Sequence, residues 1–165
     1  MSDHKYPTYF TYPDGLEPRA VAIAKRRIDG TAELRRVCPS YCREDEKKIG
    51  DLGGMAELIA VSFLQCWGIK HEVKFLADDE SAGADLIVPP RRFDVKGCDS
   101  KARLLMVNDR AHRRSKGDVT HYWFIQLLGD CKCRFWIVPY DVVAGWPLVQ
   151  HKKSAARQCL MNNFC

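Results

Sequence analysis

The segment from Met55 to Trp67 constrains the fold of this chain more than any other part of the sequence. It reads MAELIAVSFLQCW, and its apolar residues fall on nearly every side of a helix. Such a helix has to be buried, because no side of it is polar enough to face water. Asp51 is a candidate N-cap and Gly68 a candidate C-cap. We therefore predict a buried helix whose one charged residue, Glu57, needs a partner or a function in the interior.

Downstream of this helix the sequence predicts a β-hairpin. The segments GADLIV at 83–88 and FDVKG at 93–97 flank a four-residue turn of sequence PPRR. If Val88 faces Phe93, the antiparallel register gives two further pairs: Ile87 with Asp94, and Asp85 with Lys96. Side chains alternate between the faces of a strand, so one face carries Asp85, Ile87, Asp94 and Lys96. The other face is apolar and is expected to pack against the core: Leu86, Val88, Phe93 and Val95.

The remaining segments indicate a single α/β or α+β domain. Candidate strands cover 71–77, 84–88, 93–97, 103–107, 121–128 and 133–138. Short helices are expected at 20–27 and 109–117, and residues 1–18, rich in proline and glycine, are expected to form an irregular arm. We divide the chain into an N-terminal arm and helical extension (1–50), a core (51–150) and a C-terminal tail (151–165).

The polar face of the hairpin predicts a metal site. It places two carboxylates, Asp85 and Asp94, within reach of each other and of Lys96. Two such carboxylates repel each other unless a cation lies between them, and Mg²⁺ prefers oxygen ligands of this kind. The acid-x-Lys pattern alone carries no weight, because it recurs in the chain, for example at Asp130 and Lys132. The preceding strand with Asp85, the apolar back face and Glu57 distinguish the pattern at Asp94.

This combination resembles the PD-(D/E)XK nuclease superfamily, the restriction-endonuclease-like and Holliday-junction-resolvase-like fold. The pattern of that family is a helix with a glutamate, a hairpin strand with an aspartate, and a second strand with Asp/Glu-x-Lys. The matching segments here are GMAE at 54–57, ADLIV at 84–88 and FDVKG at 93–97. The resemblance covers residues 50 to 138. It departs from the family pattern in two respects: no proline directly precedes Asp85, and the second acid is Asp94 rather than glutamate.

The resemblance implies a fold, a cofactor and a reaction. The fold would be a central mixed β-sheet flanked by helices, and the protein would be a Mg²⁺- or Mn²⁺-dependent endonuclease acting on DNA. Asp85, Asp94 and the backbone carbonyl of Val95 would bind the metal, and Glu57 would reach it directly or through a water. Lys96 would orient that water and stabilise charge on the phosphate. Because resolvases and restriction enzymes of this fold commonly form dimers, a homodimer is also expected.

Three alternatives remain open at this stage. The protein could be a catalytically silent DNA-binding or assembly module of the same fold, or an interaction protein stabilised by metal-binding cysteines. In a purely structural interpretation, Asp85 and Lys96 form a cross-strand ion pair, Asp94 is a solvated strand residue and Glu57 lies at an exposed helix edge. Surface ion pairs of that kind contribute only ~0–1 kcal/mol.

Charge is distributed unevenly along the chain. Residues 51–90 contain 2 basic and 7 acidic residues, whereas residues 91–165 contain 14 basic and 6 acidic ones. A basic surface beside a metal site suits a polyanion, because phosphate contacts supply most non-specific nucleic-acid affinity. The candidate DNA-binding residues are Arg91, Arg92, Arg110, Arg113 and Arg114. His112 and Asn108 are weaker candidates for approaching the phosphate.

The cysteines and the lack of long apolar runs bear on the compartment. No run approaches the ~20 apolar residues needed to cross a bilayer, and the first residues show no apolar signal segment. We therefore expect a cytoplasmic protein without membrane contacts, whose eight cysteines are free thiols or metal ligands rather than disulfides. Four of them could form a zinc site, or hold an iron–sulfur cluster as in some nucleases of the superfamily: Cys38, Cys42, Cys131 and Cys133.

Overall fold

The computed structural model describes residues 7–30, 43–75, 83–151 and 154–164. Within these ranges there are nine strands: β1 (Thr8–Thr11), β2 (Glu72–Val73), β3 (Leu86–Val88), β4 (Arg91–Cys98), β5 (Leu104–Asn108), β6 (His121–Gly129), β7 (Lys132–Pro139), β8 (Leu148–Gln150) and β9 (Ala155–Leu160). The α-helices in these residues are α1 (Glu17–Gly30), α2 (Arg43–Cys66), α3 (Asp109–Arg114) and α4 (Tyr140–Ala144). A 3₁₀ turn, Met161–Phe164, follows β9.

The described residues form two sheets, and the protein is therefore of the mixed α/β class. The larger has six strands in the order β1-β7-β6-β4-β3-β2, and the smaller has three in the order β5-β9-β8. The larger sheet is mixed, because β4 and β6 run parallel while its other neighbouring strands are antiparallel. None of the helices in the described part of the chain is long and apolar enough to span a membrane.

Helices α1 and α2 cover one face of the larger sheet. Their apolar side chains, such as Ile59 and Leu64, share a core with Phe93 and Trp123 from the strands, which we call the helix-side core. Gly97 allows α2 to lie directly against β4: a Cβ at this position would meet the backbone oxygen of Leu52 at 2.3 Å and the Cβ of Ala56 at 3.0 Å. Such a close approach is a common reason for a glycine within a strand.

The predicted buried helix is present, although its two ends differ from the prediction. It begins at Arg43, so Asp51 lies inside α2 and is not its N-cap. Gly68 does end the helix: it has a φ of 61°, and its amide donates to the carbonyl of Gln65 while that of Ile69 donates to Leu64. This is a Schellman motif. Cys66, the last residue of α2, is exposed rather than buried.

The opposite face of the larger sheet packs against the smaller sheet, α3 and α4. Tyr122, Phe124 and Trp136 from the larger sheet form a second core with Leu105 and Val107 of β5. Residues 155–160, within the segment treated as a tail from the sequence, form the central strand of the smaller sheet. Residues 8–11, within the expected irregular arm, pair with β7.

The register of the hairpin differs from the prediction by two residues. Leu86, not Val88, lies opposite Phe93, and the turn consists of Pro89 and Pro90 alone. The observed register places two fully buried side chains, Leu86 and Phe93, next to each other in the helix-side core. Arg92 belongs to the strand because its amide and carbonyl both bond to Thr120. A shift of two preserves which side chains share a face, so the predicted polar and apolar faces are retained.

Candidate active site

Asp85 and Asp94 lie side by side where β3 and β4 separate. The amide of Asp85 donates to the carbonyl of Phe93 at 2.7 Å, and continuing the observed register by one residue places Asp85 opposite Asp94. One residue further along β4, the amide of Val95 donates to Oδ2 of Asp85 at 2.7 Å, so a side-chain carboxylate takes the place of a backbone carbonyl as the acceptor. The end of the hairpin ladder therefore fixes the position of this carboxylate.

Lys96 lies on the same face of β4 and forms an ion pair with Asp94. Its Nζ is 2.5 Å from Asp94 Oδ1, and the side chains of Asp94 and Lys96 are 14% and 36% exposed. Burial alone would lower the pKa of Lys96, but the carboxylates of Asp94, Asp85 and Glu57 outweigh it and raise the pKa. Lys96 therefore remains a cation. The alternative in which Lys96 pairs with Asp85, leaving Asp94 solvated, is wrong.

The pKa of Asp85 reflects the charges of the surrounding residues, Asp94, Lys96 and Glu57, which together with Asp85 we call the cluster. It is raised well above its ordinary value, first by burial and then by the negative charges of Asp94 and Glu57. The charge of Lys96 and the amide of Val95 lower it, but they do not compensate. The cluster thus holds three carboxyl groups against one ammonium, and an added cation would be stabilised there.

Glu57 belongs to the helix layer, because it lies in α2. It is only 2% exposed, so the alternative in which it lies at an exposed helix edge is wrong. It follows Ala56, whose Cβ packs where Gly97 lets α2 meet β4. Its charge acts on both Asp85 and Lys96. Gly97 was absent from the predicted site residues, although a glycine directly after Lys96 in a strand indicates a close backbone approach.

The donor set of the cluster suits a hard divalent ion, since Asp85 and Asp94 supply carboxylate oxygens. Across the described ranges, no group of three or more His, Cys, Asp or Glu side chains is arranged to hold a metal. A metal here would thus rest on the two aspartates together with non-side-chain ligands, such as the predicted Val95 carbonyl.

The predicted DNA-binding arginines fall into two groups. Arg92 lies on the same face of β4 as Asp94, and its guanidinium donates to the carbonyl of Gly117 at 2.6 Å. That bond links β4 to the turn after α3, the helix that carries the other group, the exposed residues Arg110, Arg113 and Arg114. Arg113 also forms an ion pair with the buried Asp109. Arg91 alternates with Arg92 and lies opposite Val88, whose side chain packs against the helix-side core.

The prediction that His112 approaches the phosphate is wrong. His112 is 2% exposed, its Nδ1 lies 2.9 Å from the Tyr122 hydroxyl, and its ring stacks on Tyr140 at 4.1 Å. Burial, followed by the charge of Arg157, lowers its pKa. Asn108 caps α3 by accepting from the amide of Ala111. Both residues therefore hold α3 in place.

The cysteines with described side chains are free thiols: Cys66, Cys98, Cys131, Cys133 and Cys159. Cys131 donates to Asp14 at 2.5 Å, while Cys133 is buried and donates to the carbonyl of Phe10. Cys38 and Cys42, the other half of the predicted zinc or iron–sulfur site, lie outside the described residues. Metal analysis of the purified protein would test that prediction.

Comparison with family models, with curated proteins and with solved structures finds no match to this chain. Functional inference therefore rests on the geometry of the candidate site and on the sequence pattern.

Proposed function

We propose that this protein is a metal-dependent nuclease of the PD-(D/E)XK type that hydrolyses phosphodiester bonds in DNA. The observation that carries the proposal is the position of the Asp85 carboxylate. It is held on the Val95 amide beside the Asp94–Lys96 ion pair, within the field of the buried Glu57. Asp85, Asp94 and Lys96 thus share one face of the hairpin, and the buried Glu57 of α2 acts on Asp85 and Lys96 through its charge.

The fold is compatible with the proposal. A helix bearing the glutamate precedes a hairpin bearing both aspartates, and that hairpin belongs to a mixed sheet covered by α1 and α2 on one face and by the smaller sheet, α3 and α4 on the other. The parallel pairing of β4 with β6 places Asp94 beside Tyr122 and Lys96 beside Phe124. The aspartates therefore project from the sheet face opposite α1 and α2, at the end where β3 stops and β4 continues.

Each residue has a distinct role in the proposed reaction. Asp85 and Asp94 would hold Mg²⁺ or Mn²⁺, with the Val95 carbonyl as a further ligand. The bound ion would polarise the scissile phosphate and lower the pKa of a water molecule that attacks it. Lys96 presents a compact positive charge beside the aspartates and would stabilise charge developing on the phosphate. Glu57 adds negative charge from the buried side to that of Asp94 and Asp85, and these carboxylates together raise the pKa of Lys96. The arginines of β4 and α3 would contact neighbouring phosphates of the DNA.

A plasmid-nicking assay with Mg²⁺ or Mn²⁺ tests the proposal. We expect the unmodified protein to convert supercoiled plasmid to nicked or linear forms, and Asp94→Asn and Lys96→Ala to lose this activity. The chain provides matched controls: Asp130 and Lys132 have the same spacing but are exposed. Asp130→Asn and Lys132→Ala should cleave like the unmodified protein, with circular dichroism confirming that all variants are folded.

Two outcomes would contradict the proposed reaction. Cleavage that survives in both Asp94→Asn and Lys96→Ala would show that the site lies elsewhere. DNA binding without cleavage under any divalent metal would favour the catalytically silent module of the same fold. The expected homodimer is a separate prediction, checked by sedimentation in the presence and absence of DNA.

A further inference from the structure

Lys74 lies next to the aspartates of the candidate site, although no feature of its sequence indicated this. It follows β2, and its amide donates to the carbonyl of Asp85 at 2.8 Å. The antiparallel pairing of the two neighbouring strand pairs therefore places Lys74 opposite Asp85, and Asp85 opposite Asp94. In an antiparallel pair, residues opposite each other share a face of the sheet.

The side of the sheet that Lys74 occupies is settled by its neighbours. Val73 and Phe75 both pack against the helix-side core, and alternation places Lys74 on the opposite face. That is the face on which Asp94 and Lys96 lie. Lys74 thus borders the candidate site from the edge strand, on the far side of Asp85 from Lys96.

Lys74 also differs from the other described cations on this face of β2, β3 and β4. Lys96 is bound to Asp94, and the Arg92 guanidinium is bound to the Gly117 carbonyl. Lys74 pairs instead with Glu72 at 2.5 Å, and the two side chains are 47% and 57% exposed. An exposed ion pair of this kind contributes little stability, so an incoming phosphate can displace Glu72 at little cost.

We propose that Lys74 is a phosphate-binding residue of this site, which exchanges its ion pair with Glu72 for a phosphate of the bound nucleic acid next to the cleaved one. The inference rests on the proposed nuclease function and extends it. Lys74 contributes to substrate binding and not to the chemical step, because Asp85 lies between it and the Asp94–Lys96 pair. Glu72 acts as a competitor that keeps Lys74 partly neutralised when no substrate is bound.

Binding and cleavage measured on the full chain test this inference. Binding of a fluorescein-labelled DNA duplex is followed by anisotropy with Ca²⁺ in place of Mg²⁺, and cleavage is followed with Mg²⁺. For Lys74→Ala we expect Kd and KM to rise about tenfold, the loss of one charged contact, with kcat unchanged. The slope of log Kd against log salt should fall by about one. Lys74→Arg should restore most of the affinity.

Two further variants separate a specific contact from a general loss of charge. Lys132→Ala removes the same charge from an exposed position on β7 and should leave Kd and KM unchanged. Glu72→Gln should tighten binding, but only when Lys74 is present, because its effect acts through releasing that side chain.

The outcomes distinguish this inference from the proposed function. If the unmodified protein cleaves DNA and Lys74→Ala behaves like Lys132→Ala, the role of Lys74 is overturned while the nuclease function stands. If no cleavage occurs but binding depends on Lys74 as described, the reaction is overturned and the phosphate contact is supported. A protein that neither binds nor cleaves DNA overturns both.

Discussion

The same tripeptide pattern occurs in two environments of this protein, and only one of them is suited to chemistry. Asp94-Val95-Lys96 lies within β4, between β3 and β6, with Val95 buried in the helix-side core. Asp130-Cys131-Lys132 lies where β6 turns into β7. There Asp130 and Cys131 have left-handed φ angles of 49° and 55°, and Asp130 and Lys132 are exposed.

The difference lies in what surrounds the acid and the lysine. In β4 both side chains project from the same face and form an ion pair, and the charges of Asp85 and Glu57 act on Lys96 as well. At the turn the chain reverses direction between the acid and the lysine, so alternation no longer places them on one face. A short acid-x-Lys pattern is therefore informative only together with the strand and helix that enclose it.

The largest effect is expected from Lys96→Arg in β4. Arginine keeps the charge, but its planar guanidinium cannot occupy the position of the compact ammonium beside Asp94. We expect plasmid cleavage to fall by about a hundredfold or more, similar to the loss of one electrostatic contact in other active sites. Lys132→Arg should cleave normally. Equal activity of the two variants would remove the distinction between the two environments.

The packing that encloses the β4 pattern can be tested at Gly97. Gly97→Ala introduces a Cβ that meets the Leu52 backbone oxygen, so α2 has to move away from β4. We expect the free energy of unfolding to fall by about 2 kcal/mol, within the range for overpacked cores. Gly145→Ala is the matched control, because the nearest atom to a Cβ at that position, the carbonyl oxygen of Val142, is 3.5 Å away. Urea unfolding of both variants measures the difference, and a stable Gly97→Ala would show that the contact is not needed.

The charge imbalance at the β4 pattern predicts a pH-dependent gain in stability for Asp85→Asn. The folded-state pKa of Asp85 is raised above its ordinary value of 3.8, so the folded protein retains this proton to higher pH than the unfolded chain. The free energy of unfolding therefore falls as pH rises from about 4 through the folded-state pKa. Asparagine does not titrate, and its oxygen can still accept from the Val95 amide.

In EDTA at neutral pH, we accordingly expect Asp85→Asn to be more stable than the unmodified protein by about 1 kcal/mol. The gain should vanish below about pH 4, where Asp85 is protonated in both states. Asp130→Asn should show no such gain. Urea unfolding at a series of pH values measures both curves, and a gain that persists at low pH would assign it to a cause other than charge.

The smallest expected effect is on the reactivity of two thiols: Cys98, which follows the Asp94–Lys96 pattern, and Cys133, which follows the Asp130–Lys132 pattern. Burial raises the pKa of Cys98 to about 11 and that of Cys133 to about 12. At pH 8 both should react with iodoacetamide far more slowly than the exposed Cys66, since the thiolate is the reactive form. Their rates should increase as the pH rises. Peptide mass spectrometry resolves the three sites, and rapid labelling of Cys133 would show that the β7 side is more open than the structure indicates.

The sequence by itself determined the buried helix, six of the strands, and the polar and apolar faces of the hairpin. Each predicted strand overlaps an observed one, and alternation assigned Asp85, Asp94 and Lys96 to one face despite an error of two in the register. It succeeded because strand periodicity depends on the local pattern and survives a shift of two residues. The buried position of Glu57 followed in the same way, from a helix with no polar side.

Only the tertiary structure decided which residues meet. The register depends on how Leu86 and Phe93 pack under α2. In this register the residue opposite Asp85 is Asp94, not Lys96 as predicted. Burial in the second core made His112 a structural residue, because the smaller sheet, with a strand at 155–160 that the sequence did not indicate, covers that side. Lys74 reached the site through a strand pairing with Asp85 across a gap in sequence. Such contacts between distant segments are set by packing, and no local pattern encodes them.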